Sequence, residues 1–348
     1  MDRSLQRALT LTLGLLALTS CSDSSTPGEP AAGPDEPAFA ELAATANRWT
    51  AKAAMPTGRV ALAAAVVKNA RQESVLYAIG GDDGNNVTLA TVEAYDFATN
   101  TWSARAPLPT PLQSTNGAGV IGGRIYVPGG RDLDNHSPGS DDGAPRSSLY
   151  VYDPAADTWS RKADMPEPSM SGVSGVIGGK LYVLDGASRR LYRYDPSTDT
   201  WTARRTCPGQ HFGGAAAVIG GKLYVAGGVR FSTGGPIAIR RLHVYDPATN
   251  TWSEKAAMPR AVAFAAGAGL LGSFYVLGGD ANDRARDYVQ SYDPVADTWT
   301  SKAALPTFRS SLAAANFVNA NGKERIVAVG GFGGSGERWI RSNDVYAP

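Results

Sequence analysis

Six of the seven tryptophans, Trp49, Trp102, Trp159, Trp201, Trp252 and Trp299, stand 53, 57, 42, 51 and 47 residues apart. A period near 50 residues marks a chain built from copies of one supersecondary unit, each burying its apolar face against its neighbours. Every full unit carries the same parts. A run of small residues such as Ala63-Ala64-Ala65-Val66-Val67 comes first, followed in units two to four by a Gly-Gly turn (Gly122-Gly123, Gly178-Gly179, Gly220-Gly221). An apolar segment, a variable loop, a Tyr-Asp-Pro type segment and a Thr-Trp segment follow, as in Tyr245 to Trp252. Short apolar runs bounded by turn residues are strands, so one unit is a four-stranded antiparallel meander. Small residues suit a first strand that converges on a central axis, and the repeated Tyr and Trp suit outer strands where neighbouring sheets diverge.

Composition agrees with an all-β chain. Gly 40 and Pro 22 punctuate it heavily, and the charged fraction of 19% lies below the roughly 25% of average soluble domains. Lys+Arg 33 against Asp+Glu 32 gives no basic excess, which argues against nucleic acid as a partner. Two cysteines, Cys21 and Cys207, exclude a disulfide framework and a Cys-rich zinc cluster.

The pattern resembles the kelch repeat, whose marks are a double glycine after an apolar strand and spaced Tyr and Trp downstream. Here the double glycines are Gly80-Gly81, Gly129-Gly130, Gly227-Gly228, Gly278-Gly279 and Gly330-Gly331. Unit three departs with Asp185-Gly186, and unit six has Val327 where the others carry Tyr. The resemblance covers about residues 47 to 348 and implies an all-β, six-bladed kelch β-propeller of four-stranded antiparallel blades. The chain stops at Val345-Tyr346-Ala347-Pro348, before a sixth Trp strand, and that strand stands at the start as Asn47-Arg48-Trp49-Thr50. The last blade is therefore expected to be closed by the N-terminal strand, leaving no orphan edge.

Residues 1 to 20 carry Arg3 and Arg7, an apolar run from Ala8 to Leu18 and small residues, the layout of a secretory signal peptide. Leu18-Thr19-Ser20-Cys21 resembles the bacterial lipobox, which implies lipidation of Cys21 and membrane attachment. Residues 21 to 44 then form a flexible Pro/Ser/Gly/acidic tether, and 45 to 348 the propeller. Removing residues 1 to 20 leaves 31 basic against 31 acidic residues, so attachment would rest on acyl chains. The expected location is the bacterial cell envelope; by resemblance to enteric lipoproteins, Ser22 after the cysteine leans towards the outer membrane. Cys207, left without a partner in its own chain, is expected to be a small buried apolar residue.

The start of each first strand shares a face with the loop after its double glycine, and the opposite face carries tight turns. Variable loops at 131–147, 230–241, 280–287 and 332–342 make the first face the expected binding face. Counting from each blade-ending proline places Arg59, Gln113, Ser169, His211 and Arg309, with Val262 or Ala263, at the channel mouth. Arg59 and Arg309 in adjoining blades would clamp an anion, Glu167 would share their rim, and His211 would be the ring's proton carrier.

Other signals fail. Gly179-Lys180 and Gly221-Lys222 lack the remaining residues of a phosphate loop, and Asp82-Asp83-Gly84-Asn85 and Asp141-Asp142 lack a calcium-loop spacing. Cys207 precedes Pro208 at a blade junction with no histidine pair spaced to join it, which argues against radical-copper chemistry. No catalytic residue, cofactor or metal is expected. The leading expectation is a lipid-anchored, monomeric binding module for a protein or glycan. Its rival is an enzyme similar to the sialic-acid mutarotases, whose resemblance implies an acid and an arginine, here Glu167 with Arg59 or Arg309.

Overall fold

Each unit of the repeat folds into one antiparallel sheet, and six such sheets make the propeller blades. The computed structural model describes residues 47–85, 87–132, 143–281, 284–333 and 339–348. The leader 1–20, the tether 21–44 with Cys21, His136 and Asp141-Asp142 lie outside the described residues.

The chain starts with β1 (Arg48–Ala51). Blade one follows as β2 (Ala63–Lys68), β3 (Ser74–Ile79), β4 (Val92–Asp96) and β5 (Thr101–Arg105), and blade two as β6 (Gly119–Ile121), β7 (Arg124–Pro128), β8 (Leu149–Asp153) and β9 (Thr158–Lys162). Blade three is β10 (Val173–Ile177), β11 (Lys180–Leu184), β12 (Leu191–Asp195) and β13 (Thr200–Ala203). Blade four, β14 (Ala215–Ile219), β15 (Lys222–Ala226), β18 (Leu242–Asp246) and β19 (Thr251–Lys255), carries an extra hairpin, β16 (Val229–Ser232) and β17 (Gly235–Ala238). In blade five a shorter hairpin, β22 (Asp280–Ala281) and β23 (Arg284–Ala285), interrupts β20 (Ala266–Leu270), β21 (Ser273–Leu277), β24 (Val289–Asp293) and β25 (Thr298–Ser301). Blade six is β26 (Ala313–Val318), β27 (Glu324–Val329), β28 (Asn343–Ala347) and β1. The pairing Trp49↔Tyr346 seats the N-terminal strand on the last blade as expected.

Burial follows position in the blade. The first strands hold small residues because they approach each other at the axis: a Cβ on Gly267 would lie 2.3 Å from the carbonyl oxygen of Ala216 in the preceding blade. The second strands are buried on both faces, which explains their continuous apolar sequence. The fourth strands are largely exposed except for their tryptophans.

One latch joins every blade to the next. In the turn before each Trp strand stands Asn47, Asn100, Asp157, Asp199, Asn250 or Asp297, each with φ between 52° and 59°. Asn and Asp tolerate this left-handed conformation better than other side chains do. Its Oδ1 accepts the hydroxyl of the tyrosine in the same blade (Tyr95, Tyr194, Tyr245 and Tyr292 at 2.6–2.7 Å, and Tyr152). The same oxygen accepts the backbone N–H of a residue leaving the preceding blade, Ala53, Ala106, Ala163, Arg205 or Ala256. The indole two residues on donates to the carbonyl of that same residue at 2.7–2.9 Å. Asn47 and Trp49 perform this on Ala303, so the ring closes through the same bonds that build it. The tyrosines are buried, which raises their hydroxyl pKa, to about 12 for Tyr95. Accepting the hydroxyl and a backbone N–H holds Asp157, Asp199 and Asp297 below the usual carboxylate range.

Candidate functional site

A second closed circuit surrounds the channel mouth. Ala61, Ser114, Ser171, Gly213, Phe264 and Ser311, one per blade, all have φ between 48° and 64°. Each donates its backbone N–H to the carbonyl of its counterpart in the preceding blade, Ala61 to Ser311 and so on around the ring, at 2.6–2.8 Å. These six bonds close on themselves, leaving neither a free donor nor a free acceptor at the neck. The left-handed conformation costs Phe264 most, because bulky residues rarely adopt it. Above and within this neck lies a cavity of about 650 Å³, and a smaller one of about 280 Å³ continues down the channel between the first strands.

The circuit fixes which side chains face the axis. In each blade the residue two before the ring member is buried in the blade: Arg59, Leu112, Ser169, His211, Val262 and Arg309. In five blades its carbonyl accepts the N–H of the second glycine of the double-glycine turn in the neighbouring blade, as Leu112 does from Gly81 and Arg309 from Gly279; the His211 carbonyl instead accepts the N–H of Gly214. A Cβ on the first glycine would lie 2.2 Å from the Leu112 oxygen, so glycine is required there. The residue one before the ring member faces the cavity in four blades as Val60, Gln113, Met170 and Phe212 and in blade six as Ser310.

This corrects the expected mouth. Arg59 is fully buried, donating to Glu93 at 2.6 Å and to the carbonyls of Gly80, Thr91 and Ala78. Arg309, equally buried, donates to Asp344 at 2.8 Å. Burial lowers the pKa of both guanidiniums and raises that of Asp344, against the opposing pull of each partner. Neither arginine faces the axis, and both are internal ties within their own blades. Ser169 is buried against Asn116 at 3.0 Å, and Val262 and Ala263 are buried as well. Glu167 is on the loop-rich face but pairs with Arg190. The acid and arginine required by the mutarotase resemblance are therefore not brought together in any of the named pairs. Gln113 alone of the six expected site residues lines the cavity, its amide donating to Asp82 and Thr88.

His211 is also buried, and its Nε2 stands 2.7 Å from Nδ1 of His243, with Cys207 beside them. The expectation that no histidine pair joins Cys207 is thus overturned; β18 carries His243 back across the blade to meet it. Burial lowers the His211 pKa to about 4 and that of His243 in the same direction. It pushes the Cys207 thiol up to about 12.

The cavity wall is divided. Blades one to three contribute Gln113, Ser114, Thr115, Asn116, Arg131 and Ser171. Blades four to six contribute Phe212, Phe264 and Phe332 together with Asp280, Ser310 and Ser311, with Phe212 packed 5.4 Å from Phe231 and 6.0 Å from Phe264. Phe231, Phe308, Phe332 and Ile237 are each 45–54% exposed and continue this aromatic arc over the rim. Exposed Arg230, Arg240, Arg260 and Arg284 bring basic groups to the same side. Blade three presents a tight loop in place of a long one: Arg189 donates its N–H to the Asp185 carbonyl, which explains its missing double glycine. The Asp82 and Asp83 carboxylates accept backbone N–H groups of Gly84 and Asn85, so this acid cluster folds its own loop.

Comparison with known proteins gives the same architecture. The chain is similar to mouse (Mus musculus) Kelch-like protein 35, 30% identical over 174 residues covering 40% of this chain and 29% of that protein. It is also similar to Beta-scruin of Limulus polyphemus, 27% identical over 151 residues covering 42% of this chain and 15% of that protein. The chain thus spans less than a third of either relative. Among solved structures, the one titled "Structure of YjhT" superposes with a TM-score of 0.68 over 83% of this chain and 95% of that chain, at 16% identity, a likeness of fold. The Kelch motif matches residues 72–109, and the KLHDC2/KLHL20/DRC7 Kelch-repeats domain matches residues 120–331, more than half of the chain. With six blades, five double glycines and these matches in agreement, the chain belongs to the kelch-repeat family.

Proposed function

We propose that this propeller is a binding module, held at the bacterial cell envelope through lipidated Cys21, that takes a protein or glycan partner on its loop-rich face. The observation that carries this reading is the phenylalanine arc from Phe231 through Phe212 and Phe264 to Phe332 along one side of the mouth. An exposed aromatic patch of this kind costs solubility unless a partner covers it. With arginines beside it and polar groups facing it, the arc suits a partner that combines apolar surface with acidic groups. The kelch relatives support a protein as that partner. The leader and lipobox-like residues support the anchor.

Affinity capture from envelope extracts tests the site. A Phe231→Ser plus Phe332→Ser variant should lose the partner that the unaltered protein retains, while Val295→Ser on the opposite face should keep it. Equal capture by all three would remove the mouth as the site. Fatty-acid labelling that persists in a Cys21→Ala variant would remove the anchor.

A further inference from the structure

The internal repeat offers a comparison that isolates one blade. Four residues before the buried residue at each junction stands Met55, Leu108, Met165, Met258 or Leu305, all core side chains; in blade four the same place holds Cys207. The buried residue itself is Arg59, Leu112, Ser169, Val262 or Arg309 in the other blades, and His211 in blade four. Two residues before the latch tyrosine the others carry Glu93, Tyr150, Tyr192, Gln290 or Asp344, and blade four carries His243. Three departures therefore fall in one blade and converge, with one ligating atom from each residue all within 4.8 Å of one another. Where blades one and six place an ion pair, blade four places two imidazoles and a thiol.

The geometry favours a ligand set over filler. Cys207 and His211 are 0% exposed and His243 is 1% exposed. The main chain of Cys207 donates to Arg189 O and that of His211 to Gly186 O, so the blade-three loop fixes both. His211 Nδ1 donates to the Gly227 carbonyl at 2.8 Å, which leaves Nε2 as a lone pair aimed at His243. Gly209 leaves room for the second ring: a Cβ there would lie 2.8 Å from His243 Cε1.

We propose that Cys207 Sγ, His211 Nε2 and His243 Nδ1 form a three-coordinate site for a single thiophilic cation, Cu(I). Thiolate and imidazole are the donors that soft transition ions prefer. Charge selects the monovalent ion. One thiolate and two neutral imidazoles make a neutral complex with Cu(I), whereas Zn(II) would leave a buried positive charge near Arg241, whose carboxylate neighbour Glu254 stands 3.8 Å away. Without the ion, His243 Nδ1–H donates to His211 Nε2. Two nitrogens bound to one three-coordinate ion at about 2.0 Å each stand roughly 3.5 Å apart, so the rings part by under an ångström from their present 2.7 Å. On binding, the thiol loses its proton to solvent and the His243 proton moves from Nδ1 to Nε2. One proton leaves per ion, and no electron is transferred.

The test uses the full chain with Cys21→Ala, leaving Cys207 as the only thiol. Anaerobic Cu(I) titration against a chromophoric chelator should show one equivalent withdrawn and one proton released. X-ray absorption should give one sulfur and two nitrogens. Cys207→Ser and His243→Gln should each weaken binding by about 100-fold, and their metal-free thermal midpoints report whether they fold. Failure of the unaltered cluster to compete with the chelator, or a copper shell without sulfur, would overturn the site. Zn(II) bound more tightly than Cu(I) would overturn the choice of ion.

Discussion

Asn47 accepts the hydroxyl proton of Tyr346 at 2.7 Å across 299 residues of sequence. This is the bond that Asn100 makes to Tyr95 five residues away, so the closing blade uses the same latch as a continuous one. Asn47→Ala removes two hydrogen bonds and leaves alanine at positive φ, and should cost roughly 2–3 kcal/mol in a denaturation experiment. Asn47→Asp should cost little, because three of the other latches already use Asp.

The two buried arginines are structural. Arg59→Ala strands Glu93 in a dry interior and should destabilise by about 3–5 kcal/mol, while Arg59→Met with Glu93→Leu should recover most of that loss. Chemical denaturation of the single and double variants checks this. Equal loss in both would mean that the arginine acts through its carbonyl contacts to Gly80 and Thr91 and not through the pair.

Acid should weaken the fold through blade four. His211 has its folded pKa lowered from 6.5 to about 4, so the unfolded chain takes up a proton that the folded one refuses. Its contribution is complete above about pH 6.5 and is lost as pH falls towards 4, by about 3 kcal/mol at most. His243 shifts in the same direction. The thermal midpoint of the unaltered protein should fall through this window, and that of His211→Gln should fall less. The latch carboxylates act lower, because their folded pKa values lie below 3.8.

The hydrogen-bonded neck sets its own residue rules. Ser171→Gly, at φ 49°, should be neutral or stabilising by up to about 1 kcal/mol. Gly213→Val should destabilise strongly, since φ is 64° and a Cβ would lie 2.6 Å from the Phe264 ring. Amide exchange should find the six ring N–H groups among the slowest in the protein.

Blade number, strand order and the closing strand were legible because they rest on turn residues, aromatic spacing and small residues, each of which acts locally. The mouth was legible only to within one residue. A single left-handed residue in each blade decides which side chain enters the channel, and serines or Phe264 in that conformation leave no mark in sequence. Arg59, Ser169, His211 and Arg309 therefore point into the blades, while Gln113, counted one place further along, faces the cavity. Cys207 and His243 stand 36 residues apart in the sequence, and only strand pairing brings them together. The hairpins at 229–238 and 280–285 lie within loops whose length alone was visible.

The most direct test of the binding face is site-specific photocrosslinking in intact cells, with the reactive residue at position 231 or 332 on the aromatic rim, or at 295 on the opposite face. The account predicts a discrete adduct from both rim positions and none from 295. Adducts from 295 with none from the rim would contradict it.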